Sequence, residues 1–221
     1  MPSSHDDSNQ FQGTPRDRSL HRTALLLEYF TVGYNIFEAA ASIAFGSQAG
    51  SIALIGFGLD SIMESLSGLV LIWRLRRHDP ITPGEEEHVE RKAQRFVAMT
   101  FFILSAYVLY ESLVKLITQE IAQPSPGGII IALLSIAIMP MLATRKQEIG
   151  KAIGSPALIA DSKETLACAF LSMSLLVGLL ANALSGFWQA DPIAGLFISL
   201  FLLWEGYEGW QEPTDNKPDQ D

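Results

Sequence analysis

The chain has 221 residues, 48% of them hydrophobic, and a formal net charge of −9. That apolar share fits one membrane domain better than a soluble globule, because much of the acidity falls in the tails or inside apolar runs. No basic patch with interleaved aromatics occurs, which argues against a nucleic-acid partner, and Cys168 as the one cysteine excludes an intrachain disulfide.

Residues 1–21 have neither the basic start nor the apolar core of a signal peptide and read as a short disordered tail. Six apolar segments follow, over 24–45, 52–73, 96–117, 127–144, 156–184 and 191–210, each long enough to cross a hydrocarbon core of about 30 Å. The expected organisation is an all-α, polytopic transmembrane domain over 22–210 with a second short disordered tail over 211–221. Arginines and lysines mark alternate linkers. Arg16, Arg18 and Arg22 precede the first span; Arg74, Arg76, Arg77, Arg91, Lys92 and Arg95 follow the second; Arg145, Lys146 and Lys151 follow the fourth. The linkers GSQAGS, TQEIAQPSP and SGFWQA carry none, so the positive-inside rule places both termini in the cytoplasm.

Along the first span Glu28, Thr31, Asn35 and Glu38 step by three and four, a polar stripe on one helical face. Asn35 falls near mid-depth, as a ligand or a support to ligands, whereas Glu28 and Glu38 are expected nearer the interfaces, lining entry and exit. The competing reading is that all of them hydrogen-bond neighbouring helices. The second span carries Asp60 and Glu64 four residues apart, hence on one face. A carboxylate at mid-bilayer costs roughly 2.5–3.5 kcal/mol, so a pair needs a partner. The charged stretch 79–94, flanked by His78 and holding His88, is expected to be a solvated linker. Pro140 is expected to kink the fourth span.

The fifth span repeats the device with Glu164 and Cys168, again four apart. At 1.5 Å per residue Asp60 and Glu64 lie roughly 12 and 18 Å below one membrane edge, and Glu164 and Cys168 roughly 12 and 18 Å above the other. Antiparallel spans therefore bring Glu64 level with Glu164 and Asp60 level with Cys168. Three carboxylates and a thiol suit a tetrahedral divalent ion, Zn²⁺ first.

Gly50-Ser51, Ala53-Leu54, Gly58, Asp60 and Glu64, then Ser155, Ala157-Leu158, Ala160-Asp161, Glu164 and Cys168, then Asp191-Pro192, together resemble the cation diffusion facilitator family across the six-span region. The resemblance implies a Zn²⁺/H⁺-type antiporter with no prosthetic group, metal held at midplane by the second and fifth spans, and a homodimer. Glu164 stands where the family usually has His and Cys168 where it has Asp, and Phe57 stands where an Asp is common. By resemblance Asp161 is a gate or supporting residue rather than a ligand. The family commonly carries a cytoplasmic C-terminal domain, and the chain is expected to be the short form, similar to transmembrane-163-type zinc transporters.

The expected function is export of a divalent transition metal across a bacterial cytoplasmic membrane by proton exchange, with Glu164 as the proton-accepting ligand. The rivals are a membrane-embedded metal sensor or buffer without flux, and the same transporter for Cd²⁺, Fe²⁺, Co²⁺ or Mn²⁺. An intramembrane hydrolase using Cys168 lacks a base, since the four histidines, at 5, 21, 78 and 88, all lie outside the spans.

Overall fold

A computed structural model describes residues 15–76 and 83–211. They form α1 (Pro15–Ala49), α2 (Ile52–Arg76), α3 (Pro83–Thr118), α4 (Pro126–Ile153), α5 (Pro156–Ser185) and α6 (Ala190–Gln211), and no strand occurs among them. The polytopic six-helix architecture stands, with longer helices than the apolar runs suggest. Residues 15–21, expected in a disordered tail, open α1, and most of the stretch expected as a linker opens α3. α4 likewise continues nine residues past its apolar run, through Pro140 and on to Ile153. The remainder of the tails and the segment 77–82 lie outside the described residues.

Two Gly-Ser pairs set the hairpins. Gly50 and Gly154 take the left-handed conformation (φ 64° and 65°) that ends α1 and α4. The next residue starts the following helix: Ser51 Oγ accepts from Leu54 N, and Ser155 Oγ from Leu158 N. The two hairpins are related in sequence. Shifting α1–α2 by 104 positions lays GSIALI on GSPALI, Asp60 on Glu164 and Glu64 on Cys168. Their turns lie at opposite ends of the bundle, so the repeat is inverted, as in many carriers.

α1, α2, α4 and α5 pack as a ring, each against two others, while α3 pairs with α6, and both touch α2. Lipid tails supply no hydrophobic drive between helices, so close approach through small residues does the packing. A Cβ on Gly58 of α2 would lie 3.1 Å from the Ala39 carbonyl of α1, and one on Gly178 of α5 3.0 Å from Ala194 of α6. By length and apolar content alone, Ile52–Arg76, Met99–Thr118, Pro126–Ile153 and Ala157–Ser185 qualify as spans. α1 has its acids on the inside: Glu28, Thr31, Asn35, Glu38 and Ser42 are buried, whereas Leu26, Phe30, Ile36 and Phe37 face outward. That inverted amphipathicity is the pattern of a helix solvated by lipid.

At the end of the bundle opposite the termini, Asp191 of α6 caps α2. It accepts from the Ser51 hydroxyl and, at 3.0 Å, from Ile52 N. Lys115 Nζ donates to the Gly50 carbonyl, and Asn182 Nδ2 to the Ala122 carbonyl at 2.8 Å, joining α3, α5 and the connecting turns to the same clasp. Removing a buried charged acceptor with two donors costs about 2–4 kcal/mol. Asp191→Ala should therefore lower the thermal midpoint in detergent and leave helix content at low temperature intact, as circular dichroism melts would report.

Candidate metal centre

The midplane of the ring is polar. Asp60 and Glu64 come from one face of α2 and Cys168 from α5, and all three are buried. Cys168 lies within electrostatic reach of Glu64, Glu38 and Asp60, in that order of strength, so it faces the α2 pair as a whole rather than Asp60 alone. Glu64 faces the Cys168–Thr165 turn of α5. Glu164 is half-buried and one turn nearer the termini, beside Ser67 of α2 and within electrostatic reach of Asp161, Glu205 of α6 and Glu64.

The fourth group at the centre comes from α1. Glu38 is fully buried; its Oε2 accepts from the Ser61 hydroxyl at 2.9 Å, and Cys168 Sγ lies 3.9 Å from the same oxygen. Tyr34 and Ser135 stand beside it, and Ser135 Oγ is 2.8 Å from Ser172 Oγ, one turn beyond Cys168. Placing Glu38 near an interface is therefore corrected. Depth had been counted from the edge of the apolar run, which hides where the helix begins. Counted from the two-residue turn at Gly50, Glu38 is about 18 Å in, between Asp60 at about 15 Å and Glu64 at about 21 Å. The Gly-Ser turn carried that signal in the sequence.

Polar atoms at this level are left without partners: Glu38 Oε1, both oxygens of Glu64, and both side-chain atoms of Asn35, all buried. Such groups are costly in a low-dielectric interior unless a cation, proton or water meets them. The donors are neighbours rather than a closed shell. Among the described residues no three His, Cys, Asp or Glu side chains converge tightly enough to hold one ion.

Toward the termini lies a second group that the linker assignment concealed. Lys146, expected in a solvated loop, is fully buried on the extended end of α4. Its Nζ donates to Asp161 Oδ2 and, at 3.2 Å, to Thr165 Oγ1, and lies 3.3 Å from Glu28 Oε1. Glu28 and Asp161 thus meet each other through an ammonium. Arg145, on the opposite face, is exposed and pairs with Glu148 at 3.6 Å. Of the positive linker residues, Lys146 points into the protein. His78 lies outside the described residues, and the stretch around His88 belongs to α3.

A sequence profile of the cation efflux transmembrane domain matches residues 29–210. Among curated proteins, the chain is 26% identical over 178 residues to magnetosome protein MamB of Magnetospira sp. (strain QH-2), covering 79% of this chain and 60% of that one. It is 22% identical over 187 residues to transmembrane protein 163 of Xenopus laevis, covering 84% and 66%. It is 26% identical over 174 residues to a transporter of Methanocaldococcus jannaschii, covering 76% and 60%. The chain spans about three fifths of the length of the first of these relatives.

If Glu38 belongs to the metal centre, Glu38→Gln should weaken Zn²⁺ binding about tenfold or more, comparably to Asp60→Asn. Glu164→Gln, at the edge of the cluster, should weaken it less. Equilibrium dialysis of detergent-purified variants measures all three.

Proposed function

Because this chain belongs to the cation efflux family, a family of membrane transporters rather than enzymes, we propose that it carries a divalent transition-metal ion, Zn²⁺ first, from the cytoplasm across the membrane. The observation that carries the reading is the buried thiol of Cys168 set among Glu38, Asp60 and Glu64 with carboxylate oxygens left unpaired. A divalent ion supplies the positive charge those groups lack, and unbonded carboxylates are free to turn toward it.

In this mechanism Asp60, Glu64 and Cys168 are the ligands and Glu38 completes the set. Asn35, one turn along α1, supports them. A set of oxygens with one sulfur favours borderline ions such as Zn²⁺ and Cd²⁺ over Mn²⁺. Both termini are cytoplasmic, so Glu28, Lys146 and Asp161 lie on the inner side of the centre and Asp191 on the outer side. Alternating access is a rocking of the two inverted hairpins around the centre, and the glycine and alanine contacts supply smooth surfaces for it. Proton exchange accompanies metal movement, with Glu164 as the carboxyl that takes the proton. A second copy of the chain completes a homodimer.

Proteoliposomes holding the purified protein should show saturable Zn²⁺ uptake driven by an imposed proton gradient and lost in Asp60→Ala. Cys168→Ser should lower the Cd²⁺/Zn²⁺ uptake ratio several-fold. Bound metal with no flux would select a sensor or buffer instead. In Glu164→Gln, uptake should lose its dependence on the proton gradient; an unchanged dependence would remove Glu164 from the proton path.

A further inference from the structure

Lys146 lies on the terminal side of the metal centre, buried inside the ring of helices. Its ammonium is fully buried and held by Glu28 of α1 and by Asp161 and Thr165, one turn apart on α5. Glu64, the inner member of the metal centre, lies within electrostatic reach of both Lys146 and Asp161, so the two groups are contiguous. Three carboxylates, from Glu28, Asp161 and Glu64, thus face one ammonium. Asp161 Oδ1 and Glu28 Oε2 are buried without a hydrogen-bond partner, as are both oxygens of Glu64. The acceptor capacity exceeds what a single ammonium uses.

Buried ion pairs contribute little net stability compared with apolar packing, so cohesion alone does not account for this triad. The inverted repeat sharpens the point. Shifted by 104 positions, Glu28, Lys146 and Asp161 correspond to Ala132, Ser42 and Phe57 at the other end. Those three are fully buried and none carries a charge. The charged arrangement is thus one-sided, whereas the hairpins that hold it are paired.

We propose that Glu28, Asp161 and Thr165 form a second, inner cation station, which the tethered ammonium of Lys146 occupies in this state and which the incoming divalent ion takes over before passing to Glu64. The station is all oxygen, so it accepts hard and borderline divalent ions alike, and selection for softer ions falls to Cys168 beyond it. Lys146 is displaced toward the terminal surface, a short path for a long side chain one residue from exposed Arg145. Replacing a single charge by a double one offsets more of the carboxylate excess, but displacing Lys146 costs enough that the ion is held only weakly there on its way to Glu64. The directional part rests on the transport reading above; the station itself does not.

The test is a count of Zn²⁺ ions bound per chain by the detergent-purified protein after equilibrium dialysis. Asp60→Ala should empty the metal centre and bind no ion tightly. Asp60→Ala/Lys146→Met should bind one, and adding Asp161→Asn should abolish it. Lys146→Arg in the Asp60→Ala background keeps the tethered charge and should bind none. If Asp60→Ala/Lys146→Met is unstable when purified without metal, Zn²⁺ in the buffer should restore a monodisperse protein. No added ion in a folded Asp60→Ala/Lys146→Met, an added ion that survives Asp161→Asn, or failure of Zn²⁺ to restore folding would each overturn the station. Flux measured beside it separates the two readings: an added ion with no flux in wild type sinks transport and keeps the station, and wild-type flux with no added ion does the reverse.

Discussion

A carboxylate inside a low-dielectric bundle must be met by positive charge or by hydrogen-bond donors, and the other features of this chain arrange themselves around that demand. Glu28, Glu38, Asp60, Glu64 and Asp161 all point into one ring of helices. Lys146 answers the group nearest the termini. At the centre Glu38 meets a serine hydroxyl and a thiol, donors that satisfy part of its demand and leave room for an ion. Much of the remaining apolar surface faces outward, where lipid replaces water as the solvent, while residues such as Phe57, Met139 and Leu175 pack between the helices. A soluble protein with these helices turned inside out would carry the same sequence pattern with the opposite faces buried.

The inverted pair of Gly-Ser hairpins gives the polar interior its shape. One two-residue turn lies at each end, so α2 and α5 run antiparallel and bring equivalent positions to one height. Related backbones then carry unrelated closures. Toward the termini these positions hold an ion triad; toward the opposite end the corresponding positions hold Phe57, Ser42 and Ala132, with the Asp191 clasp beyond. An apolar closure opens by separation of surfaces, whereas an ionic one opens by exchange of one cation for another. Different physical triggers at the two ends suit a carrier that must never be open at both.

Close helix approach is the third element. Gly58 against Ala39 and Gly178 against Ala194 bring backbones together without interlocking side chains. The α3–α6 pair lies outside the ring and braces it through α2 and α5. Such contacts hold the helices by dispersion while resisting little when they slide.

The amino-acid sequence by itself determined the helical class and the six helices, because both follow from local chemistry: the length of each apolar run, the linker residues between runs, and the rise of a helix. It also placed Asp60, Glu64 and Cys168 on inward faces, since spacing by four fixes a stripe. What it left open was every property that depends on where a long helix begins and which way a side chain turns. Glu38 reached the centre because the hairpin turn, not the edge of the apolar run, sets its depth. Glu164 sits at the edge of the centre, one turn nearer the termini, with Asp161, Glu205 and Glu64 all within electrostatic reach. Lys146 reads as a linker charge in any hydropathy profile. Only the extension of α4 past Thr144, and the two carboxylates waiting on α1 and α5, turned it inward, because the attraction of those buried acids for an ammonium is a tertiary quantity that no single segment contains.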